Sequence, residues 1–312
     1  MYDVLLAGPY PAGTLEKLQK AVAGTDISIR AVLTEEEFAK ENDVDAIILR
    51  IIKMPQEVIR RFSPKLKMIM RWGVGYDAVD VKQARAQGID VCNTPGANAY
   101  AVSELAVLLM LAVGRSLLCH SLQLRDGVWS REMYTARSRS LNHKVVGLVG
   151  GGNIGRQVAR KVQAFGARVQ YYDPFRLKPE MEKEFQMEYV DYETLLATSD
   201  VISFHVPLLD TTRHMLNKEN IKTVKPGAII INTARSGIVE ARKAGLIAGA
   251  GLDCTEESPI TKENPLLQDP NIIVTPHVGG TANDIGDAIV PMIAENLKLM
   301  AEGKPLKFVV NK

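Results

Sequence analysis

Residues 145–155 read Val145-Val146-Gly147-Leu148-Val149-Gly150-Gly151-Gly152-Asn153-Ile154-Gly155. A short apolar strand runs straight into G-x-G-x-x-G and on into 154–165, which has the apolar spacing of an amphipathic helix closed by Gly166. Each glycine has a mechanical reason in that setting. Gly150 permits a tight turn, Gly152 lets the backbone approach a pyrophosphate, and Gly155 lets the helix pack closely on the strand. The helix N-terminus, with Asn153 and Ile154 in its first turn, offers N–H groups and the positive end of its dipole to phosphates. The next strand, 168–172, ends at Asp173, about 20 residues beyond the glycines, where an acid accepts hydrogen bonds from ribose hydroxyls. Asp173 also repels a 2′-phosphate, so NAD is expected over NADP, with Arg176 close behind weakening that preference.

Outward from this stretch, strand-like and helix-like segments alternate almost throughout. Short apolar runs at 2–6, 46–52, 66–70 and 89–92 precede it, and runs at 201–204, 228–231, 248–253 and 272–274 follow it. A helical pattern at 14–23 and polar helical stretches lie between them. Such alternation predicts parallel sheets covered by helices on both faces, and two doubly wound α/β domains fit it better than one large sheet. Asn93-Thr94-Pro95-Gly96 marks the boundary. After it, Asn98 is expected to cap one long helix that runs through the apolar 105–113 towards Leu124 and stops at Asp126-Gly127.

The 312 residues suit about two domains. Hydrophobic residues at 46% and charged ones at 24% exclude a disordered or collagen-like chain. Lys+Arg at 38 against Asp+Glu at 36 gives +2, so no nucleic-acid partner is expected. Cys92, Cys119 and Cys254 are far apart, which argues against a disulfide framework or a metal site and for a reducing cytoplasm. No secretory leader is expected, since Asp3 interrupts the first apolar run. No membrane span is expected either, because 105–113 is far short of the roughly 20 residues needed.

Further motifs are Arg71-Trp72-Gly73-Val74-Gly75-Tyr76-Asp77, Asn93-Thr94-Pro95-Gly96-Ala97-Asn98, His205-Val206-Pro207-Leu208, Ile231-Asn232-Thr233-Ala234-Arg235, Gly251-Leu252-Asp253 and Thr275-Pro276-His277-Val278-Gly279-Gly280. In this order, with the glycine turn, they resemble the D-isomer-specific 2-hydroxyacid dehydrogenase family, most closely its phosphoglycerate-dehydrogenase-like branch. The resemblance covers nearly the whole chain. It implies a Rossmann NAD domain, 97–284, inserted within a flavodoxin-like substrate-binding domain, 1–96 with 285–312. The active site is expected in the cleft between them, no C-terminal regulatory domain is expected, and a homodimer is the family's usual assembly.

Reducing a 2-oxo acid requires a cation for carboxylate and carbonyl, an acid for the nascent alkoxide, and a positioned hydride donor. Arg235, after a strand, fits the cation, because its planar fork binds two oxygens without losing its charge. His277 fits the acid, since imidazole exchanges protons near neutrality. His120, His143 and His214 are read as structural. The resemblance adds the Val74 and Gly75 N–H groups as a carboxylate cradle, and Arg50 where phosphate-handling members keep an arginine. It places His205, Val206 and Pro207 at the adenine side. Asp253 then faces the nicotinamide carboxamide, with Asn232, Thr233, Ala234, Arg235, His277 and Gly279 lining that end.

Two positions depart from the family's pattern. Its glutamate partner of the histidine is replaced by Ser258, with Glu256 and Glu257 beside it. A serine carries no charge to favour imidazolium, so slower reduction at neutral pH is expected. The family also has a full helix between Arg235 and Asp253, several residues longer than 237–245 allows. The expected activity is hydride transfer between NAD(H) and a small 2-hydroxy or 2-oxo acid, with 3-phosphoglycerate leading. The alternatives are a glyoxylate or hydroxypyruvate reductase and, on the strength of Ser258, a non-catalytic NAD-binding regulatory module.

Overall fold

A computed structural model describes residues 1–62, 64–234, 246–255 and 259–312. They divide into two compact units, Met1–Asn98 with Thr281–Lys312, and Ala99–Gly280.

In the first unit the strands β1 (Tyr2–Ala7), β2 (Ile27–Val32), β3 (Ala46–Leu49), β4 (Met68–Arg71) and β5 (Asp90–Cys92) form a parallel sheet in the order β2-β1-β3-β4-β5. β3 and β4 are buried along their whole length, which is why they read as continuous apolar runs. β2 lies where the apolar pattern marks no strand. It is an edge strand with Ser28 and Arg30 among its residues, so only part of it is buried. The crossovers carry α1 (Thr14–Ala21), α2 (Glu35–Ala39), α3 (Gln56–Phe62) and α4 (Val81–Ala86). Thr34 and Glu37 close a capping box at the start of α2.

The second unit opens with α5 (Ala99–Gly114) and α6 (Leu117–Arg125). This corrects the expectation of one long helix, since the two are bent by 61° at a break over Arg115 and Ser116. Ser116 takes a left-handed conformation (φ 51°). At Gly114 the backbone runs so close to the Arg139 carbonyl that a Cβ would lie 3.2 Å from it. A Gly and a Ser at one break are a recurrent cause of kinks. Asn98 does not cap α5 either, because its side-chain oxygen is buried without a partner.

The second sheet follows: β6 (Val145–Val149), α7 (Asn153–Ala164), β7 (Arg168–Tyr172), α8 (Pro179–Phe185), β8 (Met187–Tyr189), α9 (Tyr192–Thr198), β9 (Val201–Phe204), β10 (Ala228–Asn232), β11 (Ile247–Leu252) and β12 (Ile272–Val274). All are parallel in the order β12-β11-β10-β9-β6-β7-β8. β8, an edge strand of three residues, is the second strand the apolar pattern does not mark. β10 and β11 are neighbours, and their connection includes 235–245, so the departure noted at 237–245 lies outside the described residues.

The chain then returns to the first unit with α10 (Ile285–Ala301), which packs against α1 and buries Ile289, Ile293 and Leu297. Val310 N–H donates to the Val91 carbonyl at 2.8 Å. The Asn311 side chain accepts from Val91 N–H and donates to the Ile89 carbonyl, both at 2.9 Å. Among the described residues no single helix is long and apolar enough to cross a membrane.

Candidate active site

In a doubly wound sheet, ligands bind beyond the carboxyl ends of the strands where the strand order reverses. In the second sheet that point lies between β6 and β9. Gly150 follows β6 and His205 follows β9. Gly150 has φ 112°, and a Cβ there would lie 2.8 Å from the His205 carbonyl oxygen, so glycine is required twice over. A Cβ on Gly155 would run into the Gly150 carbonyl oxygen, which is how closely α7 sits on the turn. Gly152, by contrast, has no neighbour within 4 Å of where its Cβ would be.

No side chain caps α7. The N–H groups of Asn153, Ile154 and Gly155 have no acceptor among the described residues, whereas Arg156 N–H is the first to bond back, to Gly152. Open space over Gly152 beside these N–H groups fits a pyrophosphate. Asp173 accepts from Gly151 N–H and Phe175 N–H, both at 2.9 Å, so its carboxylate also braces the glycine turn. Both ring nitrogens of His205 are buried without partners, and burial pulls its pKa down to about 3, leaving the imidazole neutral. Val206 packs on the core under β9, and Pro207 is exposed.

At the other end of this sheet the loop that carries His277 is held by a carboxylate the motifs do not single out as its brace. Asp253 is buried, at 2% exposure. Its Oδ1 accepts from the Thr275 hydroxyl (2.6 Å) and Val278 N–H (2.9 Å), and its Oδ2 from Gly279 N–H (2.8 Å). One carboxylate therefore grips the loop on both sides of His277. His277 is exposed and takes φ 55°, a left-handed conformation that costs a non-glycine residue roughly 1–3 kcal/mol. Asn232 accepts from Ala234 N–H at 2.9 Å, and the buried Thr233 hydroxyl has no partner. Arg235, Ser258, Glu256 and Glu257 lie outside the described residues.

In the first unit the strand order reverses between β1 and β3. Arg50, after β3, donates to the Pro9 carbonyl after β1 at 2.7 Å. Tyr10 donates to the Ile48 carbonyl (3.0 Å) and meets the Trp72 ring edge-on, 5.0 Å between centroids. Beyond β4 the loop 73–75 is pinned by its carbonyls. Gly73 C=O accepts from Thr94 N–H, Val74 C=O from the Asn93 side chain and Gly75 C=O from Arg71 Nε, at 2.9–3.1 Å. Gly73 N–H donates to the Thr94 hydroxyl. The N–H groups of Val74 and Gly75 have no acceptor among the described residues. Asn93 and Thr94 are the residues that orient this loop, a role their motif does not reveal until the fold brings 93–94 beside 73–75.

A sheet of this order, with its glycine turn at the reversal and an acid on the next strand, defines a dinucleotide-binding domain. Residues 107–279 match the model of the D-isomer specific 2-hydroxyacid dehydrogenase NAD binding domain. A glyoxylate reductase of Thermococcus litoralis is 38% identical over 296 residues, 91% of this chain and 87% of that protein. A D-3-phosphoglycerate dehydrogenase of Archaeoglobus fulgidus is 35% identical over 99% of this chain, which spans 59% of its length. The crystal structure of a glyoxylate reductase from Paecilomyes thermophila superposes with a TM-score of 0.86 at 28% identity, covering 99% of this chain and 98% of that one. The chain belongs to the D-isomer-specific 2-hydroxyacid dehydrogenase family and is an NAD-dependent enzyme of that kind.

Proposed function

We propose that the enzyme reduces a short 2-oxo acid of the size of glyoxylate or hydroxypyruvate. The observation that carries this is the N–H pair of Val74 and Gly75, on a loop pinned by three bonded carbonyls and without acceptors among the described residues. Two adjacent donors on a pinned loop suit a carboxylate. The likeness to a glyoxylate reductase over most of both chains supports a small substrate. Arg235 would bind the carboxylate and polarise the carbonyl, and His277, presented by the Asp253 grip, would deliver the proton to the alkoxide. Gly150, Gly152, Asn153, Ile154 and Gly155 would cradle the pyrophosphate, Asp173 would take the ribose, and His205, Val206 and Pro207 would flank the adenine. Thr233, Ala234, Asp253 and Gly279 would line the nicotinamide end. NADH, when bound, supplies the hydride.

A second reading, oxidation of 3-phosphoglycerate, is favoured by Arg50, whose guanidinium stands at the reversal point of the first sheet. Loss of NADH absorbance with a panel of 2-oxo acids, alongside NAD reduction with 3-phosphoglycerate, decides between them. The highest kcat/KM is expected for glyoxylate or hydroxypyruvate, and a higher value for 3-phosphoglycerate would reverse the assignment. A homodimer is proposed from the exposed apolar side chains Leu117, Leu124, Trp129 and Met133 on and after α6, to be checked by light scattering. A cytoplasmic location suits three buried cysteines, none in a disulfide.

A further inference from the structure

We propose that Glu182 sets the preference for NAD over NADP by holding Arg176 away from the position a 2′-phosphate would take. The proposal rests on the reading of Asp173 as the ribose acid. In this fold the acid ending the second strand serves the 2′-hydroxyl, and an arginine near it serves the 2′-phosphate of NADP. This chain carries both, three residues apart, and Phe175 between them caps Asp173 through its N–H.

Arg176 is already engaged. Its Nε lies 2.8 Å from Glu182 Oε1 and its Nη2 3.1 Å from Oε2, a two-point fork. Loose surface pairs contribute little, but this carboxylate is anchored from the core side. Glu182 Oε1 also accepts from the Tyr171 hydroxyl at 2.7 Å, and that hydroxyl accepts from Leu177 N–H at 2.9 Å. Tyr171 is fully buried. The Glu182 side chain is 15% exposed against 61% for Arg176, so the acid is the fixed partner and the arginine the captive one. The Tyr189 ring closes the other side, 4.9 Å from the guanidinium. The hydrogen bond from Arg176, with that from Tyr171, keeps the Glu182 carboxyl below the usual range and therefore ionised at neutral pH. Recruiting Arg176 to a phosphate would break this assembly and bring a dianion near the freed Glu182.

Dissociation constants for NADH and NADPH, measured by fluorescence titration without substrate, test this. Glu182→Gln keeps the size and the Tyr171 contact but removes the charge. It is expected to tighten NADPH relative to NADH about tenfold, the size of one charge-assisted hydrogen bond. Adding Arg176→Ala to it should cancel the gain. Arg176→Ala alone, which leaves the Glu182 charge without its cation, should not tighten NADPH relative to NADH, and this arm holds even if Glu182→Gln fails to fold. An unchanged ratio in folded Glu182→Gln, a gain surviving in the double variant, or tighter NADPH relative to NADH in Arg176→Ala would each overturn the proposal. Asp173→Ala tests the ribose reading separately. An unmoved ratio there overturns the ribose reading and the proposal's premise with it, whereas an unmoved ratio in Glu182→Gln alone overturns only the part given to Glu182.

Discussion

His277 illustrates how much a single backbone angle demands of its neighbours. Its φ of 55° is tolerated by asparagine and resisted by β-branched residues. His277→Asn is therefore expected to keep the melting temperature of the parent while lowering kcat by roughly 10²–10⁴, the usual contribution of a positioned acid. His277→Val should lose stability as well. A kcat for His277→Asn near that of the parent would remove His277 from the reaction. His205 makes a different demand. Its folded pKa of about 3 lies below the unfolded value of about 6.5. Below pH 6.5 the unfolded chain binds a proton that the native state refuses, so stability is whole above that pH and falls as pH drops towards 3. The slope is at most about 1.4 kcal/mol per pH unit. Urea unfolding at about pH 7.5 and about pH 5.5 should show this loss, and His205→Leu should flatten it.

At the scale of one element, the turn between β6 and α7 separates two kinds of glycine. Gly155→Ala forces the helix off the Gly150 carbonyl and should cost about 1–3 kcal/mol as well as NADH binding. Gly152→Ala meets nothing in the protein, so its stability should stay within about 0.5 kcal/mol. The added methyl would nevertheless stand where the pyrophosphate approaches, and NADH affinity should fall about tenfold or more. Calorimetry and NADH titration of both variants measure the contrast. The same element shows what a sequence makes legible. The glycine turn, α7 and Asp173 are close in the chain, and their pattern follows from local geometry. Central strands such as β3 and β6 announce themselves because both faces are buried. The edge strands β2 and β8 do not, and the break between α5 and α6 is made partly by contact with residue 139, far along the chain. The braces at the candidate site are hidden for the same reason: Asn93 on Val74 and Asp253 on Val278 and Gly279 join residues about 20 or more apart.

At the scale of the whole molecule, the first unit is assembled from two distant pieces of chain. Asn311 ties the later piece to β5 through Val91 and Ile89, with its side chain buried. Asn311→Ala leaves those two backbone groups without partners and should cost about 2–4 kcal/mol, read as a lower denaturation midpoint. A midpoint within experimental error of the parent would show that water takes over both bonds. The division also carries a consequence in time. A ribosome delivers residues 1–98 first and residues 281–312 only after the intervening 182 have been made. At roughly 5–20 residues per second that interval is on the order of ten to forty seconds. Throughout it, the apolar surface destined for Ile289, Ile293 and Leu297 has nothing to cover it and stands open to chaperones. The second unit, unbroken in the chain, has every residue it needs before the first does, so the half made earliest is the half that finishes last.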